Sequence, residues 1–156
     1  MEKLKDQVAR LLDGLRLTYD YDDETKTFML DVGMDNATVS VVVAFDEADR
    51  RLYNFSYLSF ALPKKRRMAV LRKINEIHLR SSSPAYLFLD ENGRLCAQDV
   101  IDVPECGVDG EVFHEFVAST CVLLDKNFHG IMEAAFGQGG IDYFVDGLED
   151  ADGVGS

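Results

Sequence analysis

Apolar and polar residues alternate in four short runs between residues 15 and 60, and acidic turns separate the runs. A period of two places every second side chain on the same face, as in a β-strand that buries only that face. Short turns between such runs are typical of antiparallel strands. The pattern therefore predicts a twisted antiparallel sheet with one apolar face, and its first four strands are Leu17–Asp22, Phe28–Val32, Val39–Phe45 and Leu52–Phe60.

The fourth run has apolar side chains on both faces of its strand. One face carries Tyr53, Phe55 and Tyr57, and the other carries Leu52, Leu58 and Phe60. A strand with two such faces is expected to contact something on each side, either the rest of the domain or a partner. We predict that the three aromatic residues form a partner surface. Packing in the core of the same chain is the alternative for each of them.

Three segments have the three- and four-residue apolar spacing of amphipathic helices. They are residues 4–15, 63–80 and 109–136. A second hairpin is predicted between the last two, because Asn92 and Gly93 tolerate the positive φ angles of a tight turn. The sequence thus predicts an α+β fold with the order α-β-β-β-β-α-β-β-α, in which helices cover an antiparallel sheet of five to six strands.

The last predicted helix is apolar around more than half of its circumference. Phe116 and Leu123 are among its apolar residues. Such a helix is either sandwiched within its own domain or packs one side against a second subunit, and the sequence leaves both arrangements open. We predict that Phe116 and Leu123 contact a partner, together with the aromatic residues of the fourth strand.

Length and composition fit one soluble globular unit. The chain has 156 residues, of which 47% are hydrophobic and 28% are charged, and its formal net charge is -12. Such an acidic chain lacks the basic footprint that nucleic acid requires, and acidic membrane surfaces are disfavoured for the same reason. We predict a single domain over residues 1–137 and a flexible, acidic, glycine-rich tail over residues 138–156.

The chain contains neither a recognisable secretory signal nor a membrane span. Its first residues mix charged and apolar side chains, and no run approaches the roughly 20 apolar residues of a transmembrane helix. Cys96, Cys106 and Cys121 are odd in number and lack C-x-x-C spacing, which favours reduced, inert thiols over a disulfide framework. These observations predict a cytoplasmic protein.

Four consecutive cations, Lys64, Lys65, Arg66 and Arg67, stand at the predicted start of the second helix. The dipole at that end of a helix favours anions, so each cation costs about 0.3–1 kcal/mol unless something compensates it. A bound anionic ligand is one compensation, and the acidic tail around residues 142–152 is another. A solvated run of charges without a partner is the third interpretation.

The residues that usually carry catalysis or bind metals do not form a convincing constellation. His114 and His129 are fifteen residues apart on one predicted helix, roughly 22 Å along its axis, and therefore cannot share a metal ion. The glycines after residue 136 follow a helix instead of opening one, and Ser119 lies outside a G-x-S-x-G motif. We predict no enzyme activity, no metal and no cofactor.

Three segments resemble the YbjN-domain family, which is described as bacterial sensory transduction regulators. They are Leu71–Ile77 in the second helix, Pro84–Leu95 in the second hairpin and the long last helix, and the likeness runs over Met1–Phe136. Family members often have a second asparagine where this chain has His78. The resemblance implies a small cytosolic α+β domain, similar in fold to type III secretion chaperones and commonly dimeric. It implies that the domain holds segments of other proteins or regulates through contact, and it supplies no catalytic residues.

Two functions of different classes remain. In the first, the protein is a non-enzymatic, chaperone-like binding or regulatory module that forms a homodimer and accepts a protein or peptide client. In the second, the cations at residues 64–67 bind an anionic small ligand such as a nucleotide, and the protein is a sensor or a minor enzyme. The sequence favours the first because its apolar surface is extensive and its candidate chemistry is weak.

Overall fold

The structure is a computed structural model, and it describes residues 2–137. Within this range the chain forms four α-helices, six strands and one 3-10 turn. The helices are α1 (Leu4–Gly14), α2 (Arg67–Arg80), α3 (Gly110–Lys126) and α4 (Phe128–Phe136), and the 3-10 turn (Lys64–Arg66) precedes α2. The strands are β1 (Asp20–Asp22), β2 (Thr27–Gly33), β3 (Thr38–Asp46), β4 (Arg51–Ala61), β5 (Tyr86–Leu89) and β6 (Arg94–Asp102). The predicted tail at residues 138–156 lies outside the described residues.

All six strands belong to one antiparallel sheet with the order β1-β2-β3-β4-β6-β5. The predicted α+β class and the antiparallel sheet are therefore confirmed. β4 lies at the centre, where it pairs with β3 on one side and β6 on the other. Because β6 lies between β4 and β5, residues of β4 and of the second hairpin, β5 and β6, share one continuous surface.

The first strand is shorter than the alternating pattern predicts, because the chain after α1 still bonds back to the helix. Arg16 has a φ of 58°, and Leu17 N donates to Leu12 O at 3.2 Å. The backbone donor of Leu17 is thereby engaged by α1 and unavailable to the sheet. Regular pairing with β2 starts only at Asp20.

The predicted long last helix is two helices, α3 and α4, with Asn127 between them. Asn127 has φ -100° and ψ 4°, and its side-chain Nδ2 donates to Leu123 O at 2.9 Å. α3 packs on the sheet, whereas α4 packs against α2. This division explains why apolar residues cover more than half of the circumference of the predicted helix. α3 and α4 bury different faces within the same domain. Most of the apolar surface of this segment is thus buried within its own domain, while Val112 and Val122 of α3 remain exposed.

The hydrophobic core lies between one face of the sheet and the helices α1 and α3. Every second residue of the central strands points into it. The fully buried large side chains include Leu4 and Leu12 of α1, Phe28 of β2, Leu52 and Leu58 of β4, Leu95 of β6, and Phe113, Phe116 and Leu124 of α3. Burial of one such side chain stabilises the fold by about 1.5–3 kcal/mol. The apolar face that the alternation predicts is this one.

Two polar residues of β4, Asn54 and Ser56, also face this core and are fully buried. Asn54 Nδ2 donates to Phe116 O at 3.0 Å and to Thr120 Oγ1 at 2.8 Å, both on α3. Ser56 Oγ donates to Asn54 Oδ1 at 2.9 Å and lies 2.7 Å from Thr120 Oγ1. A buried polar group that loses its partner costs more than the bond itself contributes. The network therefore holds α3 at one position along β4.

We expect the replacement of Asn54 by alanine to lower the free energy of unfolding by about 1–3 kcal/mol, because the hydroxyls of Ser56 and Thr120 lose a partner in a dry site. Urea unfolding of the full chain measures this difference. Asn75, which is exposed on α2, provides the matched control, and Asn75→Ala should stay within about 0.5 kcal/mol of the wild type. Equal losses in both variants would contradict a specific role for the network.

Candidate functional site

The face of the sheet opposite the core carries a continuous set of aromatic side chains. Register places Phe55 of β4 and Tyr86 of β5 opposite the same β6 residue, Gln98, and it places Tyr57 and Phe88 opposite Cys96. The ring centroids of Phe55 and Tyr57 are 5.9 Å apart, those of Phe55 and Phe88 are 5.7 Å apart, and those of Tyr86 and Phe88 are 5.8 Å apart. We call Tyr53, Phe55, Tyr57, Tyr86 and Phe88 the aromatic surface.

The aromatic surface remains open to solvent in the described chain. Tyr86 is 46% exposed, and Tyr53, Phe55, Tyr57 and Phe88 are each half-buried. Adjacent apolar residues extend it, since Met29 of β2 is 38% and Val100 of β6 is 40% exposed. A contiguous apolar area of this kind marks a binding surface more often than scattered exposed residues do.

A shallow groove of about 340 Å³ continues the aromatic surface toward β1. Tyr57 forms one of its walls, and Tyr19, Met29 and Val42 line it from neighbouring segments. Asp31 and Ser40 add polar atoms, and Ser40 Oγ donates to Asp31 Oδ1 at 3.0 Å. The groove therefore combines apolar walls with a polar rim, as binding grooves for protein segments do.

Arg94 places a positive charge at the edge of the aromatic surface. Its guanidinium carbon lies 4.6 Å from the centre of the Tyr57 ring, which is the geometry of a cation–π contact. Asp90 holds it there, because Asp90 Oδ2 accepts from Arg94 Nε at 2.8 Å and Oδ1 accepts from Arg94 N at 2.8 Å. Burial would raise the pKa of Asp90, but the hydrogen bonds from Arg94 outweigh it and keep that pKa below its usual value. Asp90 is therefore ionised at neutral pH.

Of the five predicted partner contacts, Tyr53, Phe55 and Tyr57 lie on the aromatic surface, whereas Phe116 and Leu123 do not. Phe116 is 2% exposed and Leu123 is 5% exposed, because both side chains of α3 pack in the core of their own domain. Their burial contradicts the expectation that they contact a partner. Tyr86 and Phe88 were absent from the predicted site, although their spacing of two in the second hairpin indicates a shared face. Only the strand order brings them beside Phe55.

The four cations at residues 64–67 are divided among different contacts. Arg66 Nε donates to Ala134 O at 3.1 Å, near the carboxyl end of α4, where a positive charge is favourable. The Nη2 atom of Arg67 lies beside the β5–β6 turn, 3.2 Å from where a Cβ on Gly93 would stand. Lys64 and Lys65 are exposed. The fold thus engages two of the cations itself, which removes part of the need for a bound anion.

The three histidines lie in different parts of the fold. His78 Nε2 accepts from Leu87 N at 2.9 Å and joins the end of α2 to β5. His129 Nε2 lies 3.0 Å from Asn36 Oδ1, and His114 is exposed. In residues 2–137, no three histidine, cysteine or acidic side chains come close enough together to hold a metal ion.

Two of the three thiols are buried. Cys96 lies between Tyr57 and Phe88 in the register of the sheet and is 0% exposed, and Cys121 in α3 is 2% exposed. Burial raises the pKa of Cys96 to about 12 and that of Cys121 to about 11. Because the thiolate is the reactive form, both side chains are unreactive at neutral pH while the domain is folded. Cys106 is exposed in the loop before α3.

We expect one thiol per chain to react with a maleimide at pH 7 in the native protein and all three to react in denaturant. Cys106→Ser should remove the native reaction completely, and mass spectrometry counts the labels. Cys121→Ser is the matched control and should leave one native label. Native labelling at Cys96 would show that the sheet opens readily around it.

The sequence matches the model of the YbjN family, described as "Putative bacterial sensory transduction regulator", over residues 4–133. The match covers most of the chain, and the protein belongs to this family. The predicted resemblance is thereby confirmed. No curated protein matches the sequence.

Solved structures share the fold at low sequence identity. YbjN from E. coli is 17% identical, with a TM-score of 0.60 over 78% of this chain and 86% of that one. The ExsC–ExsE complex contains a chain that is 16% identical, with a TM-score of 0.55 over 81% of this chain and 94% of that one. The ExoU–SpcU complex of the Pseudomonas aeruginosa type III secretion system contains one that is 14% identical, with a TM-score of 0.51 over 81% and 95% of the two chains. The expected likeness to type III secretion proteins is confirmed at the level of the fold.

Among the described residues, no helix combines the length and the apolar composition that crossing a bilayer requires.

Proposed function

We propose that the protein is a non-enzymatic, chaperone-like binding module of the bacterial cytoplasm, that it forms a homodimer, and that the aromatic surface holds a segment of a client protein. The observation that carries the proposal is the open row of rings across β4 and β5, bordered by Arg94. Aromatic side chains with an arginine at their edge are the residue types that contribute most to protein–protein contacts. Two of the solved structures that share the fold are complexes with other proteins.

The chemistry of the aromatic surface suits an extended, apolar segment of polypeptide. Its rings expose large flat areas at a low cost in conformational entropy, and the neighbouring groove has polar atoms at its rim. Two arginines border this apolar surface, since Arg94 lies over the Tyr57 ring and Arg51 forms a side-chain hydrogen bond with Tyr53. An anionic small ligand at residues 64–67 gains no support from the comparisons.

We expect a photo-crosslinking amino acid at position 86, introduced into the full chain in its native host, to capture a client polypeptide. Val112 on α3 provides a matched control position, because Tyr86 and Val112 are both 46% exposed. Mass spectrometry of the crosslinked products identifies the captured chain. Equal capture from both positions, or none from position 86, would contradict the assignment of the aromatic surface.

The affinity for the captured segment should fall by at least about 30-fold in Phe55→Asp, which corresponds to the loss of about 2 kcal/mol that is typical of a central aromatic contact. Val122→Ser, at a 49% exposed position on α3, should bind as the wild type does. Isothermal titration with a synthetic peptide of the captured segment measures both affinities. Circular dichroism establishes that Phe55→Asp remains folded.

The homodimer is a separate part of the proposal and is tested separately. Light scattering on the purified full chain should report twice the mass of one chain, both for the wild type and for Phe55→Asp, if the client surface and the dimer surface are different. A monomeric wild type would contradict the homodimer and leave the client surface standing. A dimeric wild type with a monomeric Phe55→Asp would show that a second copy occupies the aromatic surface.

A further inference from the structure

The outer side of α2 is a second exposed apolar surface, and it is separate from the aromatic surface. Met68, Arg72, Asn75 and Leu79 recur at three- and four-residue steps, so they lie along one side of the helix. The opposite side carries the buried Val70 and Ile74. Met68 is 64% exposed and Leu79 is 79% exposed. Leu71, which is 40% exposed, flanks the row. We call Met68, Leu71, Arg72, Asn75 and Leu79 the outer face of α2.

The segment that carries this outer face is strongly basic. Residues 64–80 contain seven lysine and arginine residues and a single acidic residue, Glu76, within a chain whose formal net charge is -12. Lys64 and Lys65 are exposed at its start, and Arg72 and Arg80 are exposed along it. An occupant that complements this surface is therefore acidic and has apolar side chains.

A second copy of the same face is a poor occupant. In a two-fold symmetric dimer the same patch meets itself, so two segments with seven cations and one acidic residue each would be brought together. Like charges in close contact cost several kcal/mol. The electrostatics therefore disfavour self-association through the outer face of α2.

The chain contains one segment with the required chemistry, at residues 138–156, which lies outside the described residues. It has five acidic residues and neither lysine nor arginine. Its apolar residues are Ile141, Tyr143, Phe144, Val145, Leu148, Ala151 and Val154, and the first four form a cluster. Asp142 lies within this cluster and Asp146 follows it, so apolar and anionic groups are interspersed here, as apolar and cationic groups are on α2.

The described part of the chain ends beside the basic segment. α4 packs against α2, and Arg66 Nε donates to Ala134 O at 3.1 Å, two residues before α4 ends. Gly130 of α4 also faces Lys73, whose Cε lies 2.9 Å from where a Cβ on the glycine would stand. Nineteen further residues span up to about 60 Å when extended, whereas the fourteen residues of α2 rise about 21 Å. The segment is therefore long enough to reach every part of the outer face of its own chain.

We propose that residues 138–156 dock on the outer face of α2 of the same chain, with the apolar cluster at residues 141–145 against Met68 and Leu71 and the acidic side chains against the cations of residues 64–80. The docked segment covers apolar area that the domain otherwise exposes. A partner that uses this face has to displace it, which makes the segment an internal competitor for acidic, apolar ligands. The proposal concerns α2 and does not depend on the function of the aromatic surface.

A nitroxide spin label at the far end of the segment tests the proposal on the full-length protein. The labelled chain carries Gly153→Cys together with Cys106→Ser, because Cys96 and Cys121 are buried. In nitrogen-15 spectra, the amides of Met68, Leu71, Asn75 and Leu79 should lose most of their intensity at low salt, whereas amides of β1 and β2 should keep theirs. Raising the salt to about 1 M should restore much of the lost intensity, because the Debye length falls to about 3 Å.

The first control neutralises the segment, with Asp142→Asn, Asp146→Asn, Glu149→Gln, Asp150→Asn and Asp152→Asn in the labelled chain. It should abolish the intensity loss on α2. The matched control neutralises five exposed acidic residues in other surface turns, with Asp23→Asn, Glu24→Gln, Asp35→Asn, Asp49→Asn and Glu105→Gln, and it should retain the loss. Because both variants remove five negative charges, a difference between them shows that the position of the charges matters, and not only the net charge of the chain.

Three outcomes would overturn the proposal. The first is an intensity loss that is spread evenly over the surface, as an undocked segment produces. The second is a loss that survives neutralisation of the segment. The third is a comparable loss on α2 when a spin-labelled, nitrogen-14 chain is mixed with an unlabelled, nitrogen-15 chain, which would place the segment on a neighbouring molecule.

Discussion

The packing of α3 on the central strands is the contact on which the rest of the structure depends. It covers the core-facing side of β4 and β6 and buries the large apolar residues of both layers. Asn54, Ser56 and Thr120 specify the position of the helix within this contact, because each buried polar group has its partner only in one arrangement. Hydrophobic burial alone tolerates small shifts of a helix along a sheet, and the polar network does not.

The two faces of the sheet consequently have different roles. One face is closed by α1 and α3, so its side chains are available only to the core. The other face retains exposed rings on β4 and β5, and the order of the strands gathers them into one surface. A sheet with one face open to solvent is common in antiparallel architectures, but its open face is usually polar. The aromatic residues on this one are the reason that we propose it as a binding surface.

α2 and α4 pack against each other beside β5, at the edge of the sheet, and their buried residues belong to the same core as those of α1 and α3. His78 attaches α2 to β5, and Arg66 attaches the turn before α2 to the end of α4. The cations that are unfavourable at the beginning of one helix thus lie near the favourable end of another. The remaining cations and the exposed apolar residues of α2 leave a surface that the described residues do not cover. The family provides the context of a regulator, and both exposed surfaces suit a protein that works through contact with other polypeptides.

The sequence by itself determined the class of the fold and most of its elements, because periods of two and of three to four are local properties of the chain. It located the strands of both hairpins, the first two helices and the aromatic face of β4, and its family resemblance is confirmed. Only the tertiary structure decided that Phe116 and Leu123 are buried, that Asn127 divides the last helix, and that Tyr86 and Phe88 lie beside Phe55. Each of these depends on which element packs against which, and apolar spacing is the same whether a face meets its own domain or a partner. The order of the strands decides which side chains are neighbours in the sheet, and that order depends on the whole chain and not on local spacing.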